Sequence, residues 1–69
     1  MKYAIVIERA GSNFSAYVPD LPGCVATGGT VEETRERIAE AVASHLEGMR
    51  EDGEAIPPAT TLCEYLAVA

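Results

Sequence analysis

The 69 residues allow one domain at most. A domain of that size buries only about 60% of the surface its unfolded chain exposes, so self-assembly or a bound partner is a common source of added stability. Eleven acidic residues against five basic ones give a net charge of −6, which disfavours direct contact with a phosphate backbone and favours a basic partner or plain solubility.

Lys2–Glu8 alternates with apolar residues on both faces: Tyr3, Ile5 and Ile7 on one, Ala4 and Val6 on the other. That pattern predicts a central strand covered on each side. Ala10-Gly11-Ser12-Asn13 is a turn cluster, so the first two strands should form a hairpin. Phe14–Val18 reads as the second strand, with Phe14, Ala16 and Val18 on one face and Ser15 and Tyr17 on the other. Pro19 has no N–H and closes that run. Pro22-Gly23 pairs a fixed φ with a residue that tolerates φ > 0, which suits the middle of a type II turn. Cys24–Thr27 is a third short strand, broken by Gly28-Gly29.

Thr30-Val31-Glu32-Glu33 has the form of a capping box, in which the Thr30 hydroxyl accepts from the Glu33 N–H and Glu33 reaches back to the Thr30 N–H. Val31, Ile38, Val42, Leu46 and Met49 then make one apolar stripe of an amphipathic helix, widened by Ala41 and bordered by His45. Asp52-Gly53 is a C-terminal stop, and Ile56-Pro57-Pro58 should run extended. Thr61–Val68 alternates Leu62, Glu64 and Leu66 against Cys63, Tyr65 and Ala67 and reads as a fourth strand, with a helix as the alternative. The order is β-β-β-α-β. A right-handed crossover through the helix places strand 4 beside strand 1 in a mixed sheet of order 3-2-1-4, with the helix on one face. The open face retains apolar side chains, which points to an oligomer, a dimer or tetramer.

Chemistry-bearing residues are sparse. Cys24 and Cys63 lack metal or redox spacing; both lie in apolar runs and read as buried thiols, bridged only if the sheet sets them side by side. His45 is the only histidine and has no nucleophile at a partner spacing. Glu8, Asp20 and Glu64 have no spacing that makes them converge on metal ions, which argues against a two-metal nuclease. Gly28-Gly29 lacks the rest of a phosphate-binding loop, and Glu32 and Glu33 would repel an anion there. Neither a catalytic residue nor a cofactor is expected. The candidates for recognition are Tyr17, Asp20 and Leu21, projecting from a stiff turn that loses little entropy on binding. Asp20 in a turn commonly bonds its own backbone, and Leu21 must either tuck under or meet a partner. The apolar run Tyr3–Ile7 is too short for a signal-peptide core or a membrane span, so a cytoplasmic protein is expected.

The string Ser15-Ala16-Tyr17-Val18-Pro19-Asp20-Leu21-Pro22-Gly23-Cys24-Val25-Ala26-Thr27-Gly28, followed by a helix, resembles the signature of the HicB-like antitoxins of bacterial type II toxin–antitoxin systems. The resemblance runs from Tyr3 to about Pro58. It implies a partial ribonuclease-H-like fold and stoichiometric neutralisation of a small HicA-type, mRNA-cleaving toxin, by occlusion of the toxin's basic RNA-binding surface and active site. Many members of that family continue into a DNA-binding domain. This sequence leads us to expect a single domain over 1–69 without one, and so no direct nucleic-acid binding. The competing expectation is a solitary homo-oligomeric regulatory or scaffold domain with no toxin partner.

Overall fold

The computed structural model describes residues 1–69. Three strands precede one long helix: β1 is Val6–Ala10, β2 is Asn13–Tyr17, β3 is Val25–Gly28 and α1 is Val31–Glu51. The sheet is antiparallel throughout, in the order β1-β2-β3. Gly11 and Ser12 alone separate the first two strands, since Ala10 pairs with Asn13. Gly11 takes φ 64° while Ser12 stays at negative φ, the pattern of a type II′ turn, whose twist suits a two-residue hairpin.

Register assigns the faces. Ile7, Ala16 and Ala26 lie in one cross-strand row, on the side where Ala16, Val18, Leu21 and Cys24 meet Ile38 and Leu46 of α1 in the buried core. Val6, Tyr17 and Val25 form the adjacent row on the opposite, open face. Next along that face comes a polar row of Glu8, Ser15 and Thr27. The open face is therefore apolar only at the end nearer the 18–24 turn.

The helix is capped at both ends. Thr30 Oγ1 accepts from the Glu33 N–H at 3.0 Å. Glu33 reaches one residue further back than the capping box predicts, accepting from the Gly29 N–H at 2.9 Å rather than from Thr30. At the far end Glu54 N–H donates to Met49 O and Gly53 N–H to Arg50 O, with Gly53 at φ 72°. This is the Schellman arrangement expected of Asp52-Gly53.

The apolar stripe has one polar member that periodicity missed. Thr34 is fully buried, and its hydroxyl donates to Thr30 O at 2.7 Å. Gly28 lies directly against it: a Cβ at Gly28 would stand 2.6 Å from Thr34 Oγ1 and 2.8 Å from its backbone N. Gly28 is thus required by close approach of strand to helix, and not simply to release the chain from β3.

Three expectations are corrected. The fourth strand is absent from the sheet: Thr61–Val68 has no strand pairing, and the ribonuclease-H-like outline with order 3-2-1-4 is not completed within the chain. Alternation can fit a segment for a strand, but a strand exists only against a partner edge, and Leu, Ala and Glu bring little β-preference of their own. As a consequence β1 is an edge strand and not a central one, and its ladder begins at Val6, four residues after the expected start at Lys2. Cys63, carried on that unpaired segment, is exposed, whereas Cys24 is buried as expected; both are free thiols.

Candidate partner-binding site

The segment between β2 and β3 is two interlocked turns. Leu21 N–H donates to Val18 O at 3.0 Å, closing a turn with Pro19 at its second position. Cys24 N–H donates to Leu21 O at 3.1 Å, closing a second turn around Pro22 and Gly23, with Gly23 at φ 83°. That is the type II geometry the Pro-Gly pair encodes. Val18 N–H to Cys24 O, at 3.3 Å, ties the two ends together.

The turn sends its three candidate side chains to three different places. Tyr17, at the end of β2, lies on the open sheet face and is 42% exposed. Leu21 is 0% exposed, tucked into the core. Apolar burial decides its orientation, since a leucine returned to water at the turn tip would forfeit about 2 kcal/mol. Leu21 therefore offers no surface of its own.

Asp20 neither faces open solvent alone nor bonds its own turn. Its carboxylate accepts four hydrogen bonds from the C-terminal segment. Oδ2 takes the backbone N–H groups of Thr60 and Thr61 at 3.1 and 3.0 Å, and Oδ1 takes their hydroxyls at 3.1 and 2.8 Å. The Thr61 backbone N–H first, then the Thr61 hydroxyl, hold the carboxyl below its ordinary value of 3.8, against an opposing effect of desolvation, with the Thr60 hydroxyl and N–H adding lesser lowering. Tyr3 contributes a second tie to the same segment, donating its phenol hydroxyl to Pro57 O. Burial pushes the Cys24 thiol the other way, raising its pKa and leaving it protonated and unreactive.

Two features of the site escaped the sequence reading. Val25 and Val6 flank Tyr17 across the sheet, and Val25 is largely exposed. The signal for Val25 was present in its parity, since an apolar residue in strand phase with the surface position Thr27 must face out. No local pattern announced Thr60 and Thr61 as the partners of Asp20, because they lie forty residues away in sequence. Elsewhere no three His, Cys, Asp or Glu side chains come together as a metal-holding group.

Known proteins match this arrangement. The family described as HicB-like antitoxin of bacterial toxin–antitoxin system matches residues 3–68. An uncharacterised 14.9 kDa protein of Haemophilus phage HP1 is 38% identical over 66 residues, covering 96% of this chain and 50% of the phage protein, so the chain spans half the length of that relative. A UPF0150 protein of Archaeoglobus fulgidus is 42% identical over 59 residues, covering 81% of this chain and 86% of its own. Among solved structures, a chain of a HicA3 and HicB3 toxin–antitoxin complex superposes with a TM-score of 0.74 at 32% identity, over 86% of this chain and 70% of that one. The N-terminal domain of the Burkholderia pseudomallei antitoxin HicB gives a TM-score of 0.73 at 29% identity, over 94% of this chain and 74% of that one. The match from Tyr3 to Val68, spanning the double turn, the capped helix and the segment clamped by Asp20, makes this chain a member of the HicB-like antitoxin family.

Proposed function

We propose that this chain is an antitoxin module that neutralises a small basic HicA-type mRNA-cleaving toxin by covering its active site. The observation that carries the reading is the likeness to a chain of a HicA3 and HicB3 toxin–antitoxin complex, which extends over 86% of this chain. Charge supports it. At −6 the domain attracts a basic RNA-binding protein, speeds their encounter and repels the nucleic acid that competes for it. The role is one of binding and not of turnover, and in this reading the module contacts no nucleic acid itself and works in the cytoplasm. No helix is long and apolar enough to cross a membrane.

Within the site, Tyr17 is the direct contact, set in the row with Val6 and Val25. Asp20 and Leu21 act through the shape of the turn, one by anchoring the following segment and the other by filling the core. Self-association into a dimer or tetramer accompanies this role; the exposed Leu62, Tyr65 and Leu66 favour it over a monomer.

The test is co-purification from cells at low and high salt, followed by titration of the recovered partner's RNA cleavage with the purified chain. A small basic protein retained at low salt, inhibited at one-to-one stoichiometry and released by Tyr17→Ala, is the expected result. Recovery of the chain only with itself at every salt concentration would replace the antitoxin reading with that of a solitary scaffold domain.

A further inference from the structure

The molecule exposes more surface than its size warrants. A folded 7.3 kDa monomer is expected to expose about 4,200 Å², and this chain exposes 5187 Å². Its radius of gyration is 13.3 Å against about 11 Å for a compact chain of this length. Its long axis is 46 Å, although a 21-residue helix is only about 32 Å long. The excess has an evident source. Past the Asp20 clamp, Leu62, Tyr65, Leu66 and Val68 are each at least 85% exposed, and the segment that bears them pairs with no strand. The surplus of about 1,000 Å² is close to the roughly 800 Å² that each partner contributes to a standard interface.

A matching vacancy lies on the same molecule. The outer edge of β1 has no neighbour in the sheet, so its N–H and C=O groups on that side are free to take a strand. Beside this edge, on the helix side of the sheet, Ile5, Ile7, Phe14 and Val31 line a groove of about 430 Å³ whose two charged residues are Arg9 and Arg35. The tail is complementary to it in character, apolar with one acidic group. In extended conformation Leu62, Glu64 and Leu66 share one face, and Glu64 is the only charged side chain from Thr61 to Val68. The chain's own tail contributes only Tyr65 to the lining of the groove, and Leu62 and Leu66 stay in water.

We propose that the occupant of this groove is the tail of a second copy of the chain. Thr61–Val68 of each copy adds to the outer edge of β1 of the other, seating Leu62 and Leu66 on the apolar lining and Glu64 against Arg9 and Arg35. The exchange is reciprocal, so one two-fold contact satisfies both edges and both tails. Each sheet then has four strands, with the fourth supplied in trans. The inference rests on the self-association proposed above but not on the toxin.

The experiment uses the purified full chain. Light scattering across a concentration series should give a dimer or a multiple of one, and Leu66→Glu should weaken that association by about thirtyfold or more, as loss of a central interface anchor does. The tail is outside the core, so helical circular dichroism of this variant should match the parent. In parallel, a cysteine is placed on the outward face of β1 (Val6→Cys or Glu8→Cys) to trap the natural Cys63, which shares the face opposite Leu62; Cys24 is buried and stays silent. Unlabelled and heavy-isotope chains are co-refolded, oxidised and digested. Crosslinked peptides of mixed isotope composition are the expected result. A dimer whose crosslinks are all within one chain, or which is indifferent to Leu66→Glu, overturns the exchange while leaving self-association standing. A monomer at all concentrations overturns both.

Discussion

The turn at residues 18–24 and the tail at 61–68 are both irregular, and both carry leucines, yet Leu21 is wholly buried while Leu62 is 89% exposed. The turn is complete in itself. Two prolines fix φ, Gly23 supplies the positive φ, and three backbone hydrogen bonds close within seven residues. With the backbone so constrained, the side chain of Leu21 is delivered to the core without further choice. The tail has strand periodicity but depends on a distant edge to express it, and within the chain that edge is left unpaired. A turn's conformation is specified locally; a strand's is specified only jointly with its neighbour.

The sharpest way to break this contrast is truncation of the two leucines. Leu21→Ala should lower the unfolding free energy by about 3 kcal/mol, the usual cost of emptying a core leucine site. Leu62→Ala should change it by less than about 0.5 kcal/mol when both are measured by urea denaturation at a protein concentration low enough to hold the chain monomeric. Equal effects would mean that the tail is part of the monomer's core. Next in size is Gly28→Ala. Its methyl would meet Thr34 Oγ1 at 2.6 Å, an overpacking worth about 2 kcal/mol. Adding Thr34→Ala should restore only part of the loss, because the Thr34 backbone N at 2.8 Å and Cα at 3.0 Å remain in the way. Full rescue would show that the hydroxyl alone set the spacing. Smaller again, Thr30→Ala removes the acceptor for Glu33 N–H and should cost about 1 kcal/mol, with loss of helicity confined to the first turn by amide exchange.

The elements legible in the sequence are those whose determinants sit close together along the chain. The hairpin was marked by Gly11, the type II turn by Pro22-Gly23, the helix start by Thr30 and Glu33, and its stop by Asp52-Gly53; each appears in the structure within a residue or two. The order β1-β2-β3 follows because short loops join antiparallel neighbours. The illegible parts are long-range. Burial of Thr34 depends on how closely β3 approaches the helix, which helical periodicity does not encode. Asp20, read as either a self-bonded turn residue or a recognition residue, does not bond its own turn but binds Thr60 and Thr61 across forty residues of chain, a contact that bears on the first reading alone. Tyr17, the third recognition candidate, is the one whose exposure could be read directly, from its parity opposite Ala16 on β2 and Val18 just beyond it.

The smallest effect expected is also the one that separates the turn from the tail most cleanly. Asp20 belongs to the turn by sequence but serves the tail by contact, so breaking its bonds should free one region and spare the other. The carboxylate's folded-state pKa is depressed by the Thr61 and Thr60 donors, which means the clamp favours the ionised form. Its contribution is fully present above the ordinary carboxylate value of 3.8 and disappears as pH falls through the lower, folded-state value. The protection of the Thr60 and Thr61 amides, taken against the intrinsic exchange rate at each pH, should therefore fall on acidification through that window. Asp20→Asn should produce the same loss of protection at neutral pH, since its amide offers one acceptor oxygen where the carboxylate offers two. The Leu21 and Cys24 amides, bonded within the turn, should keep their protection in both cases, because Pro19, Pro22 and Gly23 hold that backbone independently of the Asp20 charge. Protected Thr60 and Thr61 amides in Asp20→Asn would mean that the Tyr3–Pro57 tie suffices to place the tail. Loss of protection at Leu21 and Cys24 would mean that the tail braces the turn, and the two regions would then be one cooperative unit.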